Sequence, residues 1–368
     1  MKILPVIIII IIFAGGSFSS CRYNPVVNHP CDTCNKPCDT CNINRDSLVH
    51  IQDSLSHAFT WTEYLNAIPS DADNHFSGVW VFGPNDIIIC GASLWHFDGM
   101  NFTIIPAMDA THHVLLTGGL SGDGIFAFSK TDFWVTAPGG EALHTGDGLN
   151  FDDFRFGGVN ACWGISSNDM FFVGNGGSIY HYDGMKFDTM KSNTTQNIGY
   201  IWGTDDNNIW ACNTNIMTGE QNLLHYNGSQ WTSDPFANSA DALFSGLYSV
   251  WTIDSAGHQD VVASGNYVFR KTDNNPWRKD VYVPNKLPDS LSYASLFGLC
   301  GNSANDMWAG SWNGWAGHWN GKTWMRYDSI YDPKNQQFHT FAVSSKGNTV
   351  CMVGDKNGQK WIAVGTRK

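Results

Sequence analysis

The chain has 368 residues, of which 14 % are aromatic, with 38 Gly and a formal net charge of −12 at pH 7. Glu occurs only at Glu63, Glu141 and Glu220, so the acidic side chains are nearly all Asp. Asp and Gly favour turns, Glu favours helices and aromatic residues favour strands, so the composition predicts an all-β protein. The negative charge argues against a nucleic-acid partner, because binding a phosphate backbone requires a basic face.

Residues 1–20 have the features of a targeting segment. Lys2 gives a positive start, a short apolar run extends from Val6 to Phe13, and small residues precede Cys21. The stretch FSSC resembles the lipobox of bacterial lipoprotein signal peptides, with Phe18 where Leu is usual. The resemblance implies cleavage before Cys21 and a lipid on its sulfur, which would anchor an exported protein to the outer membrane of a Gram-negative cell. The alternative is an ordinary secretory signal, and the periplasmic or surface side of the membrane stays open.

Residues 21–58 form a predicted tether that contains a duplicated cysteine unit. The run PCDTCNKPCDTCN places Cys31, Cys34, Cys38 and Cys41 in a C-x2-C-x3-C-x2-C pattern. Four thiolates could hold zinc or an iron–sulfur cluster, but zinc sites usually separate two CxxC pairs by a dozen or more residues. An oxidising compartment also favours disulfides over thiolates. We therefore expect local disulfides and no metal or other cofactor, with zinc as the alternative.

One repeat recurs from residue 59 to residue 368. Each unit has a first strand with a large residue, a turn ending in Asn-Asp or a similar pair, an apolar second strand, a third strand ending in His-x-Asp/Asn-Gly, and an aromatic fourth strand. The Asp-Gly and Asn-Gly pairs suit tight hairpins, and the apolar second strands indicate burial on both faces. The aromatic positions are Trp61, Phe102, Phe151, Phe187, Trp231, Trp277 and Trp324.

The arithmetic of the repeat predicts a closed ring. Successive units are spaced by about 40 to 50 residues, which is the period of a four-stranded propeller blade. Trp61 has no unit before it, whereas the last unit, residues 339–366, has three strands and no aromatic strand after them. We therefore predict a seven-bladed β-propeller in which residues 59–64 form the outer strand of the C-terminal blade and close the ring.

The units resemble bacterial propeller repeats with the pattern W-G-x-x-x-N-D-[IV]-W…H-x-[DN]-G-x-x-W. The stretches WGISSNDMFFVG, WGTDDNNIWACN and SANDMWAGSW match it best. The likeness to WD40 and Asp-box propellers is more distant. The resemblance implies the fold of residues 59–368 and little about activity, because propellers host many unrelated functions.

Functional residues are expected where the chain departs from the repeat. The repeated His occur once per blade, so they cannot converge on one metal ion. Long connections on a rigid scaffold usually carry binding residues. The candidate ligand-binding residues in these connections are His112, His113, Tyr282, Trp312 and Trp315. Trp312 and Trp315 beside Asn suit stacking on a sugar ring or capture of a partner side chain; the alternative is that they pack over their blade.

Two functions follow from this sequence. The first is a membrane-anchored, non-catalytic binding or scaffold module that presents its loop face to a glycan or an envelope protein. The alternative is a carbohydrate-active enzyme, a glycoside hydrolase or a lyase, which usually needs two placed carboxylates. No Asp pair stands out from the turn motifs and only three Glu occur, so binding is favoured and no catalytic residue is named.

Overall fold

The computed structural model describes residues 56–68, 76–91, 93–106, 108–109, 124–137, 140–214, 220–255, 257–279, 296–311, 316–327, 330 and 338–368. The predictions for the signal segment, the lipidated Cys21 and the four tether cysteines lie outside the described residues. Everything structural below concerns the described part of the chain.

The described strands form seven antiparallel sheets, which are the blades. The strand that precedes the first complete blade is β1 (Phe59–Leu65). Blade one contains β2 (Phe76–Gly83), β3 (Asp86–Gly91), β4 (Leu94–Phe97) and β5 (Phe102–Ile105), and β6 (Met108–Asp109) follows it. Blade two contains β7 (Ile125–Ala127), β8 (Phe133–Ala137), β9 (Glu141–Thr145) and β10 (Asn150–Arg155). Blade three contains β11 (Val159–Ser166), β12 (Asp169–Gly174), β13 (Ile179–Tyr182) and β14 (Phe187–Met190).

The second half of the chain continues the pattern. Blade four contains β15 (Tyr200–Asp205), β16 (Asn208–Thr214), β17 (Gln221–Tyr226) and β18 (Trp231–Ser233). Blade five contains β19 (Ser249–Ser255), β20 (His258–Ser264), β21 (Val268–Thr272) and β22 (Arg278–Lys279). Blade six contains β23 (Leu296–Ser303), β24 (Asp306–Ser311), β25 (Ala316–Trp319) and β26 (Trp324–Arg326). Blade seven contains β27 (Phe338–Lys346), β28 (Thr349–Lys356) and β29 (Gln359–Arg367).

The ring closes through the N-terminal strand, and the predicted fold is confirmed. β1 pairs with β29 in the order β1-β29-β28-β27, with Phe59 opposite Arg367 and Leu65 opposite Trp361. Each innermost strand contacts the innermost strands of the two neighbouring blades, and β2 of blade one contacts β27 of blade seven. The first and last described segments are therefore held in one sheet.

Some described elements depart from the plain repeat, among them a parallel edge strand, a 3-10 turn and a short helix. β6 pairs in parallel with β10, so blade two has a fifth strand at its outer edge. A 3-10 turn (Pro235–Asn238) and a short helix α1 (Ala240–Ser245) follow blade four, and the hydroxyl of Ser239 caps the helix by accepting from the Ala242 N–H. The described helices include none that is both long and apolar enough to cross a membrane.

The antiparallel blades give the ring two different faces. Within a blade, the turn between the first and second strands lies against the turn between the third and fourth strands. In blade three these turns contain Asn168 and Gly184, and a Cβ on Gly184 would lie 3.0 Å from Asn168. We call the face with these turns the hairpin face. The opposite face carries the connections between second and third strands and between blades, and we call it the connection face.

The first strands interlock through one recurring contact. The Trp of one first strand packs on a glycine in the first strand of the next blade. Trp163 covers Gly203 and Trp251 covers Gly301, and a Cβ on these glycines would lie 2.8 and 3.0 Å from the indole rings. The buried Trp rings contribute strongly to the core, since burying a large apolar side chain stabilises a fold by about 2–3 kcal/mol.

Candidate functional site

The repeated His are engaged inside their blades. In blades one, two, three and six the His Nε2 bonds to the Asp that opens the second strand, at 2.7 to 3.0 Å. In blade four the acceptor is Asn208, and in blade five Thr272 donates to Asp260 instead. Several of these His also stack on the aromatic residue of the second strand, as His225 does on Trp210. These side chains tie the hairpins together and leave no shared catalytic or metal centre.

The carboxylates of the hairpin turns are engaged as well. Asp98 and Asp183 each accept two backbone N–H groups of the turn that follows, which lowers the pKa of both carboxyls. Asp147 makes the same contacts in blade two. Such carboxylates stay ionised and hold turns in place, which is the opposite of what a general acid requires.

The most buried polar cluster joins blade six to both ends of the described propeller chain. His318 is 0 % exposed and its Nε2 donates to Asp306 Oδ1 at 2.7 Å. Arg367 also donates to Asp306, and Asn302 donates to its other oxygen at 2.9 Å. Burial would raise the pKa of Asp306, but the His318 hydrogen bond and the Arg367 charge outweigh it and hold that pKa below its usual range. We assign this cluster a structural role, because His318, Arg367 and Asn302 together occupy both oxygens of the Asp306 carboxylate.

Aromatic rings from non-adjacent blades meet at the axis of the ring. Trp80 of blade one and Trp202 of blade four have ring centroids 6.3 Å apart with planes at 29°. Phe126 of blade two lies 4.8 Å from Trp80 and 5.8 Å from Trp202. We call these three residues the axial plug. The side chains therefore close the axis at this level.

The plug is open to the hairpin face. Along each innermost strand, the residue two positions before the one at the height of the plug is buried. Examples are Tyr200 at 4 % and Ala342 at 1 % exposure. Two positions after that height the equivalent residues Phe82, Thr204 and Ile253 are partly exposed and Ile165 is 46 % exposed. Trp80 and Trp202 are themselves partly exposed. Solvent therefore reaches the rings from the hairpin face.

A carboxylate pair lies beside this opening. Asp205 is the last residue of β15 and accepts from the Asn207 N–H at 2.7 Å. Asp254 is the next-to-last residue of β19 and accepts hydrogen bonds from Thr204 and Gln259. Burial and the charge of Asp205 raise the pKa of Asp254. The two residues form the pair that was not visible in the sequence.

The connection face carries a group of amide side chains on blades three and four, Asn160, Asn175, Asn197, Asn213 and Asn222, which we call the asparagine shelf. Asn160 Nδ2 donates to Asn175 Oδ1 at 3.2 Å, and Asn222 Nδ2 donates to the Asn197 carbonyl at 2.9 Å. Asn222 is 5 % exposed, and its Oδ1 has no hydrogen-bond partner among the described residues. On blades five and six of this face, Tyr248 and Phe297 stack with centroids 4.6 Å apart.

The sequence candidates for ligand binding are not placed by the structure. His112, His113, Tyr282, Trp312 and Trp315 lie outside the described residues, and they remain predictions. The described strands that flank Trp312 and Trp315 in the sequence are β24 and β25, which pair with each other.

The described part of the chain has neither a metal-binding cluster nor an activated thiol. It contains no cluster of three or more His, Cys, Asp or Glu arranged to hold a metal ion. Cys90, Cys212 and Cys351 form no disulfide with another described residue. Burial raises the pKa of the Cys90, Cys212 and Cys351 thiols, so these three are inert apolar fillers.

Sequence reasoning missed the axial opening. The sequence predicts that the large residues of the first strands pack between blades. Trp163 and Trp251 do so, whereas Trp202 also meets Trp80 at the axis. The missed signal is the residue after the large one. Gly203 and Gly301 receive the Trp rings of the preceding blades, whereas Val81, Ala127 and Thr252 stand at that place in blades one, two and five.

Comparisons with known proteins bear on the fold. No protein-family model matches the chain, and no curated protein matches its sequence. Among solved structures, YCF48 bound to D1 peptide has a TM-score of 0.60 at 13 % identity, over 84 % of this chain and 97 % of that one. The Cps50 (Swd1) propeller domain of Myceliophteria thermophila has a TM-score of 0.57 at 10 % identity, over 83 % and 100 %.

A third similar structure is an extracellular domain of a one-component system from B. thetaiotaomicron. Its TM-score is 0.53 at 12 % identity, over 79 % of this chain and 40 % of that one. At these identities the similarity establishes a β-propeller and nothing about the ligand.

Proposed function

We propose that the protein is an exported, lipid-anchored propeller that acts as a non-catalytic binding or scaffold module for a glycan or an envelope protein. The anchor at Cys21, with an outer-membrane location, rests on the sequence alone. The binding role rests on the ring, which is a rigid support, and on the engagement of its repeated His and turn Asp in structural contacts.

The buried amide oxygen of Asn222 carries the proposal. A buried polar atom without a hydrogen bond costs about 1–3 kcal/mol, and a donor from a ligand would remove that cost. The neighbouring Asn213 lies opposite Asn222 in the β16–β17 register. Amide groups of this kind recognise both sugar hydroxyls and peptide groups. A similar propeller has been solved with a bound peptide, which supports a polypeptide as one form of the ligand.

The test uses the soluble chain lacking residues 1–21, immobilised and exposed to a glycan panel and to peptides from an envelope digest. We expect ligand retention by the wild type and a clear loss in Asn213→Ala. The matched control is Asn348→Ala, an exposed asparagine in a turn of the hairpin face. Equal retention by all three proteins would contradict a ligand on the connection face.

The second candidate function is a carbohydrate-active enzyme, and one observation favours it. The raised pKa of Asp254 beside Asp205 is the direction that a general acid requires. If this function were correct, the glycan panel would show released product, and Asp254→Asn would abolish that release without removing bound glycan.

A further inference from the structure

We propose that the hairpin face docks on the lipid surface that holds the anchor, through the apolar side chains Met100, Leu149 and Met185 at the tips of three consecutive blades. The proposal rests on the lipid anchor at Cys21 proposed above, and it adds which face of the ring lies against the membrane. The connection face, with the asparagine shelf, would then point away from the membrane toward its ligand.

The turn between the third and fourth strands has one geometry in blades one, two, three, four and six. In each, an Asp or Asn side chain accepts the backbone N–H groups two and three residues later. The intervening Gly has a positive φ, as Gly99 and Gly184 do at 96° and 88°. The residue after this Gly contributes only its N–H to the turn, so the turn does not require any particular side chain there.

Apolar residues occupy this tip in three consecutive blades. Met100 is 83 % exposed, Leu149 is 61 % exposed and Met185 is 88 % exposed. Ser229 and Lys322 stand at the same place in blades four and six. Single exposed apolar residues are common on protein surfaces, but here they recur at one repeat position in neighbouring blades. We call blades one to three of the hairpin face the apolar sector.

The anchored end of the chain reaches the ring on this same face. The described chain starts at Ser56, and His57 Nε2 lies 3.1 Å from the hydroxyl of Thr323, whose N–H closes the hairpin-face turn of blade six. The chain between Cys21 and Ser56 can span at most about 120 Å. A lipid on Cys21 would therefore keep a bilayer within reach of the tips, and this high local concentration allows a weak contact to form.

A lipid surface fits the tips better than a protein surface does. Each tip stands on its own turn beside a charged residue, as Met100 does near Asp98 and Met185 does beside Lys186. The tips are therefore separate, whereas a protein interface buries a contiguous apolar patch. Apolar side chains on a rigid support can enter the headgroup region one by one while their polar neighbours stay in water.

The charges of the apolar sector do not attract an anionic surface. Its third-to-fourth turns carry Asp98, Asp147 and Asp183, against Lys130 and Lys186 on the same face. Docking must therefore come from the transfer of apolar side chains, and it should tolerate salt and need no anionic lipid.

The experiment supplies the tether artificially. The soluble chain lacking residues 1–21 carries an N-terminal histidine tag and is held on vesicles of phosphatidylethanolamine and phosphatidylcholine with a nickel-chelating lipid. Chloramine-T, an anionic oxidant that stays in water, converts accessible Met to the sulfoxide, and peptide mass spectrometry gives the rate at each Met. We expect the vesicles to slow oxidation of Met100 and Met185 severalfold and to leave Met325, which is 42 % exposed on the outer strand of blade six, unchanged.

Leu149→Gln and Leu243→Gln are matched variants. The two leucines are similarly exposed, at 61 % and 57 %, but Leu243 lies on α1, at the connection face. Leu149→Gln should weaken docking about fivefold and raise the oxidation rates of Met100 and Met185 on vesicles, since one leucine no longer enters the bilayer. Leu243→Gln should behave like the wild type. The same variants without vesicles give the reference rates.

Three results would overturn the proposal: no slowing at Met100 and Met185 on vesicles, equal slowing at Met325, or equal effects of the two leucine substitutions. Protection that requires anionic lipid and disappears at high salt would contradict an apolar contact. Protection at high protein concentration without vesicles would assign the tips to a second copy of the chain. The nickel lipid replaces Cys21, so these outcomes are independent of lipidation, which labelling of the full-length chain with radioactive palmitate tests separately.

Discussion

His57 Nδ1 lies 2.9 Å from His318 Nδ1, which joins the start of the propeller chain to blade six. His318 Nε2 donates to the Asp306 carboxylate, so a neutral His318 has a lone pair on Nδ1 and accepts the proton that His57 Nδ1 carries. His57 Nε2 then accepts from the Thr323 hydroxyl at 3.1 Å. Tyr327 donates to the His57 carbonyl at 2.9 Å. The contact therefore requires His318 to be neutral, with the lone pair on its Nδ1 facing His57.

Acid should weaken the propeller through this pair. Burial, then the charges of His318 and Arg367, lower the pKa of His57 to about 4, and burial also lowers the pKa of His318. Between about pH 6.5 and pH 4 the unfolded chain binds a proton at His57 that the native protein does not bind, so the free energy of unfolding falls as the pH falls. Urea denaturation at several pH values measures this slope.

The matched variants for this prediction are His57→Ala and His258→Ala. His57→Ala should flatten the slope between pH 6.5 and pH 4, since the linked proton is lost with the side chain. His258 pairs with Asp273 on the surface, and its removal should leave the slope unchanged. An unaltered slope in His57→Ala would show that the pair does not sense pH.

Burial should decide how much each Asp–His pair stabilises its blade. Asp306 and His318 are 5 % and 0 % exposed, whereas Asp169 and His181 are 39 % and 31 % exposed at the same repeat position. Asp306→Ala leaves the buried Arg367 guanidinium without its carboxylate and should cost about 3–5 kcal/mol. Asp169→Ala should cost about 1 kcal/mol or less. Similar shifts of the urea midpoint would contradict the distinction.

Glycine at the interblade contact should be irreplaceable. A Cβ on Gly203 would lie 2.8 Å from the Trp163 ring, so Gly203→Ala should destabilise the ring by about 1–3 kcal/mol. Gly83 also follows a first-strand aromatic segment, but a Cβ there meets nothing within 4 Å. Thermal unfolding of Gly203→Ala and Gly83→Ala compares them, and an equal loss would show that backbone freedom, not the Trp contact, selects glycine.

Closure by β1 should be essential to the whole ring. Deleting residues 59–65 exposes the edge of β29 and removes Trp61 from its contact with Trp308, whose ring centroid lies 5.8 Å away. We expect a large drop in melting temperature, whereas deleting residues 22–45 should leave the melting temperature unchanged. A β1 deletion that melts like the intact protein would mean that the ring is held without the strand.

The fold could be predicted because its signals are local. Asn-Asp and Asp-Gly turns, the apolar second strands and the unpaired Trp61 are legible one unit at a time. The parallel strand β6 and helix α1 were not predicted, because they lie in connections that do not follow the repeat.

The sites depend on residues that are distant in the sequence. At the axis, Trp80 of blade one meets Trp202 of blade four across the ring. The His57–His318 contact joins residues that are 261 positions apart. Asp205 and Asp254 lie in different blades, and the ladder between β19 and β20 of blade five is longer than the ladder between β15 and β16 of blade four.

The most direct test of the binding function records two quantities in one vessel: glycan or peptide retained by the soluble protein, and product released into solution. We expect retained ligand, no released product, and loss of retention in Asn213→Ala but not in Asn348→Ala. Released product that disappears in Asp254→Asn would contradict the binding function and establish an enzyme.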